Sequence, residues 1–97
     1  MRVFKWNADK NLALKTAADR GVCFEDIVAA IENGGLLDDV AQVNSEKYAH
    51  QRVLVVLHQG YVYAIPYVRD GDGLFLKTVY PSRKLRAYYL KGLSNET

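Results

Sequence analysis

The chain has 97 residues, 49% of them hydrophobic and 25% charged, with a formal net charge of +2; that length supplies one core and therefore one domain over residues 1–97, able to fold without a disulfide or a structural metal. A single cysteine, Cys23, excludes an intramolecular disulfide, and the longest aliphatic run, Val53 to Leu57, is far short of the roughly 20 residues that a membrane-spanning helix needs. The N-terminus turns charged too early, at Arg2 and Lys5, to read as a signal peptide, so the expectation is a soluble, cytoplasmic protein with no membrane partner.

In chain order, alternation of Phe4 and Trp6 with Lys5 predicts a strand over 3–6. Asn7 is a candidate helix N-cap with Asp9 in the first turn, Leu12, Leu14, Ala17 and Ala18 form an apolar face, and Gly21 supplies the C-cap. Phe24, Ile27, Val28 and Ile31 stand at helical spacing and predict a second helix that stops at Asn33-Gly34-Gly35. Cys23, at the head of that helix, reads as a capping or packed thiol, because no base partner is in view.

Residues 36–43 then read as a weak strand and Arg52 to His58 as a central one. Gln59-Gly60 is a two-residue hairpin signal, Tyr61 to Val68 returns, Asp70 to Gly73 turns, and Leu74 to Tyr80 is the last strand. Pro66 falls near the end of its strand, where a lost donor costs less. Pro81-Ser82 breaks the strand, and Ser82 caps a helix from Arg83 to about Lys91, ended by Gly92. The order β-α-α-β-β-β-β-α predicts an α+β fold, with an antiparallel meander sheet, helices segregated against one face, and the other face open to a ligand.

Charge is divided along the chain. From Gly21 to Glu46 there are six acids and no Lys or Arg, whereas from Lys77 to Lys91 there are five bases and no acid, so a focused basic patch makes nucleic acid a candidate partner despite the small net charge. Within that stretch Lys77, Tyr80, Ser82, Arg83 and Lys84 form the densest constellation. Arg83 and Lys84 oppose the helix dipole in the first turn, which is accounted for if an anion sits at the helix N-terminus. Strand parity sets Lys77 and Tyr80 on opposite faces unless a bulge intervenes. The other reading of the stretch is a set of solvated charges following a strand.

Tyr61, Tyr63 and Tyr67 share one parity, which reads as a half-buried sheet face with hydroxyls reaching water, or as a platform for unpaired bases. No metal or other cofactor is expected. His50 and His58 lie eight apart without a cysteine or carboxylate cluster, and the Asp70 to Gly73 turn meets Pro81 where a calcium loop carries its bidentate glutamate.

Two long segments, "FKWNADKNLALKTAADRGVCFEDI" at 4–27 and "QRVLVVLHQGYVYAIPYVRDGDGLFLKTVYPSRKLRAYYL" at 51–90, together resemble the BrnT-type toxins of bacterial type II toxin-antitoxin systems. The front half is similar to that family's F-x-W-(D/N)-x-x-K-N opening and G-V-x-F-E junction, the back half to the K-T-(I/V)-x-P-S-R-K ending of a related branch. The resemblance implies a RelE/ParE-like fold and a ribonuclease, acting alone or on ribosome-bound mRNA, that is neutralised by a cognate antitoxin of ribbon-helix-helix type. It implies a basic site at Lys77, Arg83 and Lys84, with Arg52 and His50 as secondary members. Many members carry an acid soon after the Arg-Lys pair, where this chain has Leu85-Arg86-Ala87-Tyr88, so a carboxylate base is not carried over.

The chemistry expected of such a site is metal-free RNA cleavage by 2′-hydroxyl attack. Arg83 and Lys77 would stabilise the phosphate and transition state, His50 or Tyr80 would handle protons, and Ser82, Lys84, Arg86 and Arg52 would hold phosphates. Two other classes remain open: a non-catalytic ParE-like toxin with a protein target, and a module that binds RNA or antitoxin without cleaving.

Overall fold

The computed structural model describes residues 3–16, 21–41 and 51–94, with side chains to residue 90. The elements are β1 (Val3–Trp6), α1 (Ala8–Thr16), α2 (Phe24–Glu32), β2 (Leu36–Ala41), β3 (Arg52–His58), β4 (Tyr61–Asp70), β5 (Gly73–Leu76), β6 (Tyr80–Pro81) and α3 (Arg83–Ser94). The α+β class and three helices follow the sequence. The meander does not: the sheet runs β1-β5-β4-β3-β2, with β1 parallel to β5 and β6 paired to β4. The sheet is therefore mixed, and β1 closes one edge through a pairing of high sequence separation that local pattern cannot encode.

Register decides which residues share a face. Leu54 opposes Ile65, Val56 opposes Tyr63 and Arg52 opposes Tyr67, while Tyr67 opposes Leu76 and Arg69 opposes Leu74. This first face carries the core, in which Phe24 and Ile27 of α2 pack with Leu54, Val56, Tyr63, Ile65, Tyr67, Leu74, Leu76 and Val79. Phe24, Ile27, Leu54, Ile65 and Leu76 are fully buried, each contributing about 1.5–3 kcal/mol by leaving water. Trp6 stacks on Phe24 at 5.6 Å and 20°, joining β1 to α2. Tyr63 and Tyr67 are 4% exposed and belong to the core rather than to a base platform, while Tyr61 is half-buried against it, as expected.

α1 attaches through Leu14, which packs against the core as expected, and through a polar contact that apolar spacing misses. Leu12 is exposed, whereas Asn11 is buried, its Oδ1 accepting the Phe24 N–H at 2.9 Å and its Nδ2 donating to Glu25 at 3.2 Å. Asn11 thereby satisfies one of the donors left open at the start of α2. Asn7 caps α1 as expected, accepting the Lys10 N–H at 3.0 Å. Ala17 and Ala18, also expected on the α1 face, lie outside the described residues.

Cys23 is the N-cap of α2, and Asp26 accepts its backbone N–H at 3.1 Å. Burial pushes its thiol up, away from a nucleophilic thiolate. At the other end of α2, Gly35 donates to the Ala30 carbonyl and accepts from the Leu57 N–H, both at 2.7 Å. The β3–β4 hairpin turns at Gln59-Gly60 with φ 50° and 77°, the positive pair of a type I′ turn.

The helices are not segregated. Asp38 opposes Val55 and so faces away from the core of α2, and the Tyr89 hydroxyl of α3 donates to that carboxylate at 2.7 Å. α3 therefore lies over the second face, above the buried row Val53, Val55, Val62 and Ala64, and that face is not the open ligand surface expected. The helix also passes through Gly92 to Ser94. No helix among the described residues is long and apolar enough to cross a membrane.

Candidate nucleic-acid interface

The strand expected over 74–80 is broken, and the break begins at Pro66. In an antiparallel ladder a hydrogen-bonded residue pair exchanges two bonds. Lys77 donates its N–H to the Pro66 carbonyl at 2.8 Å, but proline has no N–H to return. Regular pairing stops there and resumes at Tyr80 and Pro81, which oppose Ala64 and Tyr63. Three steps along β4, from Tyr67 to Ala64, are matched by four along the partner, from Leu76 to Tyr80. One extra residue is accommodated, which defines a β-bulge.

The bulge changes the face on which Tyr80 stands. Leu76 points into the core and Lys77 to the second face, where its ammonium lies 5.6 Å from the Phe75 ring centre. Val79 turns back into the core, and Tyr80, opposite Ala64, emerges on the second face beside Lys77. Lys77 and Tyr80 are both exposed. The two residues that simple parity would separate share one surface.

The chain then enters α3 directly. Ser82 donates its N–H to the Val62 carbonyl at 3.0 Å, and its hydroxyl oxygen accepts the Leu85 N–H at 3.1 Å. Ser82 is thus the N-cap, holding the helix against β4. Arg83 and Lys84 are exposed and make no hydrogen bond or ion pair with any described residue. Cations without acidic partners, at the positive end of a helix, form a field suited to phosphate.

Other expected members are placed differently. Arg86 is a latch: its Nε donates to the Gly60 carbonyl at 3.2 Å and its guanidinium stands 5.4 Å from the Tyr61 ring centre, binding α3 to the β3–β4 turn. Arg52 opposes Tyr67 on the first face, away from Lys77, and donates to the Asp39 carboxylate at 3.0 Å and the Asp39 carbonyl at 2.9 Å. His50 lies outside the described residues. Lys77, Tyr80, Ser82, Arg83 and Lys84 are therefore brought together at one corner, and Arg52 is not.

Sequence pattern gave no sign of two tyrosine–carboxylate pairs on β2. Tyr67 donates to Asp39, with its oxygen 2.9 and 2.7 Å from the two carboxylate oxygens, while Tyr89 holds Asp38. Burial first, then the Asp39 carboxylate, raises the Tyr67 phenol. The hydrogen bond to Asp38 raises Tyr89 to about 12, and the same bond draws Asp38 down. Among the described residues no three of His, Cys, Asp or Glu converge as metal ligands.

Comparison of the chain with known protein families, with characterised proteins and with solved structures gives no match.

Proposed function

We propose that this protein is an RNA-directed toxin of a toxin-antitoxin pair, with a RelE/ParE-like fold, cleaving RNA without a metal at the corner between β5 and α3. The observation that carries the reading is the bulge opposite Pro66, which gathers Lys77 and Tyr80 on one face beside Arg83 and Lys84, cations without a partner among the described residues. The motif K-T-V-Y-P-S-R-K supports the toxin class and, with it, a ribbon-helix-helix antitoxin as partner.

In this mechanism the scissile phosphate sits against the first turn of α3, held by the backbone N–H groups, Arg83 and Lys84. The RNA 2′-oxygen loses its proton and attacks the adjacent phosphorus, a 2′,3′-cyclic phosphate forms, and the bond to the 5′-oxygen breaks. Lys77 and Arg83 stabilise the added negative charge in the transition state. His50 or Tyr80 handles the protons, one taken from the 2′-hydroxyl and one given to the departing 5′-oxygen.

The test is incubation of purified protein with RNA in excess EDTA, comparing wild type with Arg83→Ala, Lys77→Ala and Tyr80→Phe. Loss of either cation is expected to slow cleavage about 10²- to 10³-fold, and loss of the Tyr80 hydroxyl about 10²- to 10⁴-fold. Intact RNA with folded wild-type protein, both free and on ribosomes, would remove the nuclease.

One observation favours a second reading, binding without cleavage. After the Arg83-Lys84 pair the chain has Leu85-Arg86-Ala87-Tyr88, with no acid to serve as a general base. That version gives salt-sensitive RNA affinity with no product.

A further inference from the structure

The outer side of α3 carries an aromatic ring that neither the proposed chemistry nor the core uses. Tyr88 is 75% exposed, more than Val3, Leu12, Leu37 or Tyr80. Leu85 and Tyr89 turn toward the sheet, whereas Arg83, Lys84, Ala87 and Tyr88 form the exposed stripe. Lys84 and Tyr88 stand four apart, one above the other on the same side of the helix.

The ring rests against a fixed neighbour. Tyr88 meets Tyr89 edge-on, with centroids 4.9 Å apart and planes at 83°, and Tyr89 is itself fixed by its bond to Asp38 on β2. An exposed tyrosine with a restrained side chain loses little freedom when a flat ligand lands on it. Ala87 beside it leaves room for such a ligand.

We propose that Tyr88 is a stacking platform for an unpaired nucleobase and that the substrate is therefore single-stranded RNA, its phosphates passing over Lys84 and Arg83. This inference rests on the RNA reading of the basic corner. Charge complementarity selects the occupant, because the chain from Lys77 to Lys91 is basic without one acid. Stacking tolerates any base sequence, and a base locked inside a duplex cannot reach the ring.

The test measures binding of the full chain to a 2′-O-methyl oligonucleotide, which lacks the attacking hydroxyl, as a single strand, as a blunt duplex and as an abasic strand of equal length. Wild type is expected to prefer the single strand over both other probes. Tyr88→Ala is expected to lose roughly 5- to 150-fold on the single strand, nothing on the abasic strand, and none of the salt dependence. Tyr88→Phe keeps the ring and the affinity. Lys84→Ala, by contrast, lowers the salt slope by about 0.7.

Equal binding of wild type and Tyr88→Ala to the single strand, with Lys84→Ala still weakened, overturns the platform and leaves the RNA reading intact. No binding of folded wild type to any probe overturns both.

Discussion

Asp38 and Asp39, consecutive on the edge strand β2, hold tyrosines on opposite faces of the sheet: Asp38 accepts from Tyr89 of α3, and Asp39 accepts from Tyr67 of β4. Alternation of side chains along a strand makes this possible with adjacent residues. One edge strand thereby ties a helix to one side of the sheet and closes the core on the other.

The Tyr89 pair should give the fold an alkaline limit. The Tyr89 phenol is raised from the ordinary 10.0 to about 12 by its bond to Asp38, so the protonated form is favoured by folding. A raised folded value contributes stability fully present below pH 10 and lost as pH rises through about 12. Asp38 is lowered below its ordinary 3.8, so its contribution is present above that value and lost as pH falls through the lower folded one. Denaturant titrations across pH of wild type and Tyr89→Phe should differ most in the intermediate range and converge at both extremes. A constant difference at all pH values would show that the hydroxyl acts by packing alone.

Tyr67→Phe should destabilise the protein by about 1–2 kcal/mol, because the Asp39 carboxylate loses a charge-assisted bond in a part-buried place. For a domain of this size that is a fall in Tm of roughly 5–15 °C, readable by circular dichroism. Removing Arg52 in addition should cost less than the two single losses combined, since both donate to Asp39.

Ser82 separates capping from charge. Ser82→Ala should cost about 1 kcal/mol by opening the α3 N-terminus. Ser82→Asp keeps the cap and a near-native Tm, yet sets a negative charge where the phosphate is proposed to sit, so RNA affinity should fall while stability holds. Melting curves and RNA titrations on the same samples distinguish the two, and undiminished affinity in Ser82→Asp would move the phosphate away from this helix end.

Gly35→Ala is expected to destabilise by about 1–3 kcal/mol. A methyl group there would lie 2.5 Å from the Leu57 carbonyl oxygen and 2.8 Å from that of Ala30, both backbone atoms that cannot swing aside. Chemical denaturation should show a lower midpoint with an unchanged slope.

Much of this architecture is local and was legible from pattern. The Gln59-Gly60 turn, the Asn7 cap, the placing of α2 and the two central strands depend on neighbours a few residues apart, and the structure keeps them. What pattern missed is long-range. The parallel pairing of β1 with β5 joins Phe4 to Leu74, and the docking of α1 through Asn11 runs on a polar side chain that hydrophobic periodicity cannot count.

The basic corner was legible as a cluster of residue types, but the joint placing of Lys77 and Tyr80 was not. Parity alone sets them apart, and only the register against β4 reveals the extra residue. Tyr67 and Tyr89 gave no signal either, because a tyrosine's partner across the sheet is a property of register rather than of sequence neighbours.

Pro66 also sets sheet strength against surface chemistry. Pro66→Val would restore the missing donor and invite the ladder to zip past Lys77 without interruption. Tyr80 would then rotate under the sheet and Val79 out of the core, carrying the entry of α3 with them. A change that reads as an improvement in backbone bonding would thus be a lesion in the proposed RNA surface, and the imperfection in the strand is what gives the corner its form.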